Sequence, residues 1–89
     1  MDKVEQVKAL FTDAYLIYLF AFHNSAEMCA PTAHLIALAR SEALREVLLG
    51  VFGVEKDEIQ QIECIVNNAF YDTRDYQDAL EIVNSRLAK

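Results

Sequence analysis

NNAFYDTRDYQDALEIVNSRLAK, residues 67–89, reads as the end of one helix, a short turn and a second helix. Ala69 and Phe70 continue an apolar row that begins with Ile59, Ile62 and Val66, at the three- and four-residue spacing of one helix face. Asp72 to Asp75 then form a polar break. Tyr76, Ala79, Leu80, Val83 and Leu87 resume the same period. Each position has a physical reason. Asp75 can accept a hydrogen bond from the opening turn of the second helix. Ala79 is small enough to let two helices approach closely, and Phe70 and Tyr76 supply ring area to close the pair.

Working back towards the N-terminus, GVFGVEKDE (50–58) ends an earlier helix. Gly53 suits the left-handed conformation of a C-terminal cap, and Glu55, Asp57 and Glu58 suit the positive end of the next helix. The helix before them directs Leu35, Leu38, Leu44, Val47, Leu48 and Val51 inward. It starts near Pro31, whose missing N–H costs nothing in a first turn. Ser41-Glu42 leaves open a restart, so one long helix or two short ones fit. A first helix spans about Asp2 to Phe22, followed by a break over HNSAEMCAP (23–31). From Ala14 onward it is apolar all round, which requires cover on more than one side. A central core helix and a docking face for a partner helix both satisfy that requirement.

Two Gly and one Pro in 89 residues cannot furnish the turns of an all-β fold. The expectation is an all-α chain of about four helices in two antiparallel helical hairpins, forming a single domain over residues 1–89. Hydrophobic residues make up 54% of it. Counting Gly in place of Tyr still leaves about 52%, against a usual 45–50%. A short chain has proportionally more surface and should be more polar than average. The surplus therefore points to apolar surface covered by another chain.

The net charge is −6, with −2 in residues 1–50 and −4 in residues 51–89. That balance argues against nucleic acid, whose phosphates call for clustered Lys and Arg. Leu48–Ile62 echoes a helix-turn-helix, but its second helix would present Glu55, Lys56, Asp57 and Glu58 to DNA. AYLIYLFAF (14–22) is much shorter than the roughly 20 residues that span a bilayer, so no membrane insertion is expected. MDKVEQVK opens with mixed charges, unlike a secretory leader. A cytoplasmic location with two free, buried thiols, Cys29 and Cys64, follows.

Sharper chemistry finds little footing. His23, Cys29, His34 and Cys64 are a nominal zinc set, but the paired spacings of such sites are absent. The cysteines read better as small core residues. Cys64 has no flanking bases and no oxyanion-forming glycine loop to make it a nucleophile. The expectation is no enzyme activity, no metal and no cofactor.

The hairpin at about 57–89 resembles a tetratricopeptide repeat. The matching residues are Asn68, Ala69, Phe70 and Tyr71, then Asp75 and Tyr76, then Ala79, Leu80 and Leu87. It departs from that pattern at Glu63, Asn67, Arg74 and Arg86. HNSAEMCAPTAHLIALA (23–39) together with RDYQDALE (74–81) also resembles the small tetratricopeptide-like chaperones of type III secretion. The resemblance implies a helical face that wraps the amphipathic C-terminal helix of a needle subunit.

The expected function is thus a protein-binding helical module shielding an amphipathic helix of another chain. Its anchors would be Tyr15, Tyr18, Leu19 and Phe22 on the first helix, with Phe70, Tyr71 and Tyr76 in the hairpin. The alternative is a homodimeric regulatory or inhibitor protein of phage or bacterial origin.

Overall fold

The computed structural model describes residues 2–28, 33–73 and 75–87. They form four helices: α1 Lys3–Met28, α2 Ala33–Gly50, α3 Lys56–Thr73 and α4 Tyr76–Leu87. No strand occurs among the described residues. At 1.5 Å per residue the 26 residues of α1 span about 39 Å, which accounts for the 38 Å long dimension of the molecule. None of these helices is long and apolar enough to cross a membrane.

The helices pair as two hairpins, α1 with α2 and α3 with α4. α1 is the central element, since it also packs against α3 and α4. α2 rests on α1 and makes at most slight contact with α3 or α4. Contacts at the two ends give the directions. Phe22 of α1 meets His34 of α2, so those helices are antiparallel. Lys8 pairs with Glu58 and His23 meets Tyr71, so α3 runs parallel to α1.

The core joins Phe11, Leu16 and Leu19 of α1 to Ile59, Ile62, Val66, Ala69 and Phe70 of α3 and to Ala79 and Val83 of α4. From α2 it takes Leu48. The stripe expected on α3 is the buried face in full, and Ala79 sits fully buried where the last two helices touch. Leu87, at the end of the last stripe, is exposed.

Local signals act where the sequence places them. Gly53 has φ +67°, and this reversal lets the Val54 N–H return to the Leu48 carbonyl at 2.9 Å. Asp57 and Glu58 occupy the first turn of α3. The Asp75 carboxylate accepts from the Asp78 N–H at 3.1 Å, capping α4. Thr73 braces the turn: its hydroxyl accepts from the Asp75 N–H at 2.9 Å and donates to the Asp75 carbonyl at 3.0 Å.

Three expectations need correction, and one open alternative is decided. α1 continues to Met28, beyond Phe22. Asn24 and Ser25 are merely mediocre helix formers, and no Gly or Pro stands before Pro31 to stop the chain. Pro31 and Cys29 lie outside the described residues. Of the two alternatives for α2, the single helix is the one found. The Ser41 hydroxyl is buried and donates to the Leu38 carbonyl at 2.8 Å instead of capping a new helix. Leu35 and Val51 are exposed, not inward, because α2 turns Ala37, Ser41 and Leu48 inward, the small residues allowing a close approach to α1. Cys64 is exposed too, since it lies off the α3 stripe.

Candidate protein-binding groove

α2 and α3 both pack on α1 and make at most slight contact with each other, so the α1 face between them is a candidate groove with α1 as its floor. Phe11, Tyr15, Tyr18 and Phe22 follow one another along α1 at steps of four, three and four residues, the spacing of a helix-packing seam. Their rings form a continuous ladder. Phe11–Tyr15 and Tyr15–Tyr18 stack at 6.1 Å, and Tyr18–Phe22 lie at 5.9 Å. Phe11 is buried and anchors the ladder in the core, whereas Tyr15 and Tyr18 are half-buried. Phe22 is 49% exposed.

The α3 wall holds the ladder in place. The Asn67 side-chain amide donates both to the Tyr15 hydroxyl and to the Glu63 carbonyl, each at 2.9 Å. Burial pushes the Tyr15 phenol above its ordinary pKa, while the Asn67 hydrogen bond pulls the other way. At the far end, Phe22 meets His34 edge-on at 5.4 Å and His23 at 5.5 Å. His23 lies 4.8 Å from Phe70 and 6.2 Å from Tyr71. Tyr71, 61% exposed, closes this end as the outer ring.

The proposed anchors therefore separate into three groups. Tyr15, Tyr18, Phe22 and Tyr71 share the groove. Leu19 and Phe70 are buried beneath it in the core of the chain itself. Tyr76 lies on the other side of α1, where its hydroxyl donates to Asp13 and its ring packs edge-on to Phe20 at 6.0 Å. Burial first, and the Asp13 carboxylate second, push the Tyr76 phenol up to about 12.

Sequence reasoning did not reach Asn67 as part of this surface. His23 and His34 stand out in the sequence as metal-ligand types or, without a metal, as interface or surface groups. They are members of an aromatic cluster, and no group of three or more His, Cys, Asp or Glu able to hold a metal occurs among the described residues. Cys64 sits beside Asn68, whose amide nitrogen is 3.7 Å from Sγ.

A second groove of about 620 Å³ opens between the N-terminal half of α1, α3 and the end of α4. Its floor includes Ile62, Ile65 and Leu87, and its rim carries Glu5, Lys8, Glu58 and Arg86. None of the seven expected anchors lines it. The Lys8–Glu58 ion pair bridges that rim, with Glu5 3.5 Å from the same ammonium. Comparison of the chain with family models, with curated proteins and with solved structures finds no match in any of the three.

Proposed function

We propose that this chain is a helical binding module that shields an amphipathic helix of a protein partner in the groove between α2 and α3. One observation carries the reading: the aromatic ladder Tyr15–Tyr18–Phe22, at helix-packing spacing, runs along the α1 face between α2 and α3 and rises from half-buried rings to Phe22 at 49% exposure. Rings in such a row present large apolar area with few rotatable bonds, and helix-in-groove recognition uses anchors at the same period. Tyr15 and Tyr18 also offer hydroxyls to polar groups at the rim of the seat.

The resemblance to type III secretion chaperones makes the C-terminal helix of a needle subunit the partner class of choice, in a cytoplasmic, non-enzymatic role. A labelled peptide of that helix, titrated into the purified chain and read by fluorescence anisotropy, tests the reading. Saturable binding is expected in the micromolar range, with loss of about tenfold or more in affinity for Phe22→Ala and Tyr71→Ala. Both side chains are largely exposed, so helicity should persist in both variants. Absence of binding, or binding that both substitutions leave intact, would refute it.

A further inference from the structure

The α1–α2 hairpin has a second face, opposite the aromatic groove. Tyr76 of α4 reaches Asp13, whereas Asn67 of α3 reaches Tyr15, so Asp13 and Tyr15 look to different sides of α1. Leu10 and Ile17 share the Asp13 row at three and four residues' distance, and they are 47% and 37% exposed. On α2, His34 turns towards Phe22 and the groove. The row Ile36, Arg40, Ala43 and Val47 points away from it, with Ile36 72% exposed and Arg40 and Ala43 exposed as well.

The two rows are in register. Since Phe22 is beside His34 in an antiparallel pair, six residues further along α2 and six back along α1 bring Arg40 level with Leu16, about one helical turn from Asp13. Val47 is level with Ala9 and so lies beside Leu10. The face is thus apolar with one anion and one cation. Neither Asp13 nor Arg40 forms an ion pair among the described residues.

We infer that this face is an isologous interface between two copies of the chain, held by its apolar rows and by two reciprocal Asp13–Arg40 ion pairs. A dyad parallel to the helices lays α1 of one copy against α2 of the other, antiparallel and level for level. Leu10 then meets Val47 of the partner subunit, and Ile17 lies about one helical turn from Ile36 of the partner subunit. Asp13 comes within an arginine side chain's reach of Arg40 of the partner subunit. Charge selects a second copy as the occupant. The chain as a whole is at −6, which opposes self-association, but the Asp13 and Arg40 charges of this face cancel and across a dyad each finds its opposite on the other copy. Ala43 lets the backbones approach, and the result is a four-helix layer. The aromatic groove stays open on the other side, so this inference stands independently of what the groove binds.

Sedimentation equilibrium on the purified full chain tests it, with circular dichroism reporting the fold. The wild-type chain is expected to be a dimer. R40D places two carboxylates opposite each other and should raise the dimer dissociation constant by more than about tenfold, as should D13R with two guanidiniums. Mixing the R40D and D13R chains should restore a dimer, because every pair across the dyad is then opposite in charge. If D13R fails to fold, R40D compared with R40A decides, since the added carboxylate must weaken the dimer more than truncation does. A wild-type chain that stays monomeric at millimolar concentration would overturn the inference. So would an R40D dimer as tight as the wild type, or a mixture of folded R40D and D13R no tighter than either variant alone.

Discussion

The phenolic hydroxyl of Tyr76 donates to the carboxylate of Asp13, fastening the first turn of α4 to the middle of α1 across 63 positions of sequence. The folded chain thereby favours the neutral phenol, whose pKa is pushed up to about 12 by burial and by the Asp13 carboxylate. The unfolded chain ionises the same group near pH 10. Between those values the unfolded state holds fewer protons, so stability falls as pH rises from about 10 to 12 and is fully present below. The expected loss is about 1–2 kcal/mol. Urea denaturation at neutral and alkaline pH measures it, and Tyr76→Phe should flatten this part of the profile. A Tyr76→Phe protein that keeps the whole alkaline slope would remove Tyr76 as its source.

Lys8 titrates on the same side of neutrality. Its hydrogen bond to Glu58 holds the ammonium above its ordinary range, against an opposing effect of burial. The raised value places this contribution below pH 10.5, to be lost as pH climbs through the folded-state pKa. Glu58 is close to half exposed, so solvent screens the pair. Lys8→Met should therefore cost about 0.5–1 kcal/mol at neutral pH. A double-mutant cycle with Glu58→Gln isolates the interaction, and its coupling energy should shrink in high salt. Coupling that salt leaves unchanged would point to packing of the Lys8 stem in place of charge.

The two glycines make opposite predictions although neither has a neighbour within 4 Å of an added Cβ. Gly53 has φ +67°, so Gly53→Ala carries backbone strain alone and should destabilise by about 1–2 kcal/mol. Gly50 is the last residue of α2 and has no positive φ. Gly50→Ala there should be neutral or stabilising by up to about 1 kcal/mol. Denaturant midpoints of the two variants settle both, and equal effects would contradict the assignment.

The contrast between hairpins explains how much was legible from residues alone. On α3, polar residues interrupt the apolar ones often enough that Ile59, Ile62, Val66, Ala69 and Phe70 name the buried face without help. On α2 apolar residues surround the helix, so periodicity selects no side. The packing partner selects it, and α1 takes Ala37, Ser41 and Leu48 while Leu35 and Val51 stay outside. The groove was half legible for a related reason. Its floor follows from the spacing of Tyr15, Tyr18 and Phe22, but its α3 wall depends on how α3 lies on α1. Leu19 and Tyr71 are both plausible anchors by residue type. Tertiary packing buries the first and leaves the second exposed.

Two leucines on neighbouring helices put this distinction to a quantitative test. Leu16 is fully buried at the centre of α1, within the cluster formed by α3 and α4. Truncating it removes apolar contacts and leaves a cavity that the surrounding helices fill only in part, so Leu16→Ala should cost about 2–5 kcal/mol. Leu35 is exposed on α2, off the row proposed to meet a second copy. Leu35→Ala loses little burial and replaces leucine with the better helix former, so it should change stability by less than about 0.5 kcal/mol. Chemical denaturation of the two variants side by side gives the answer. Comparable losses at both positions would mean that α2 is covered in the folded chain and that the periphery assigned to it is part of the core.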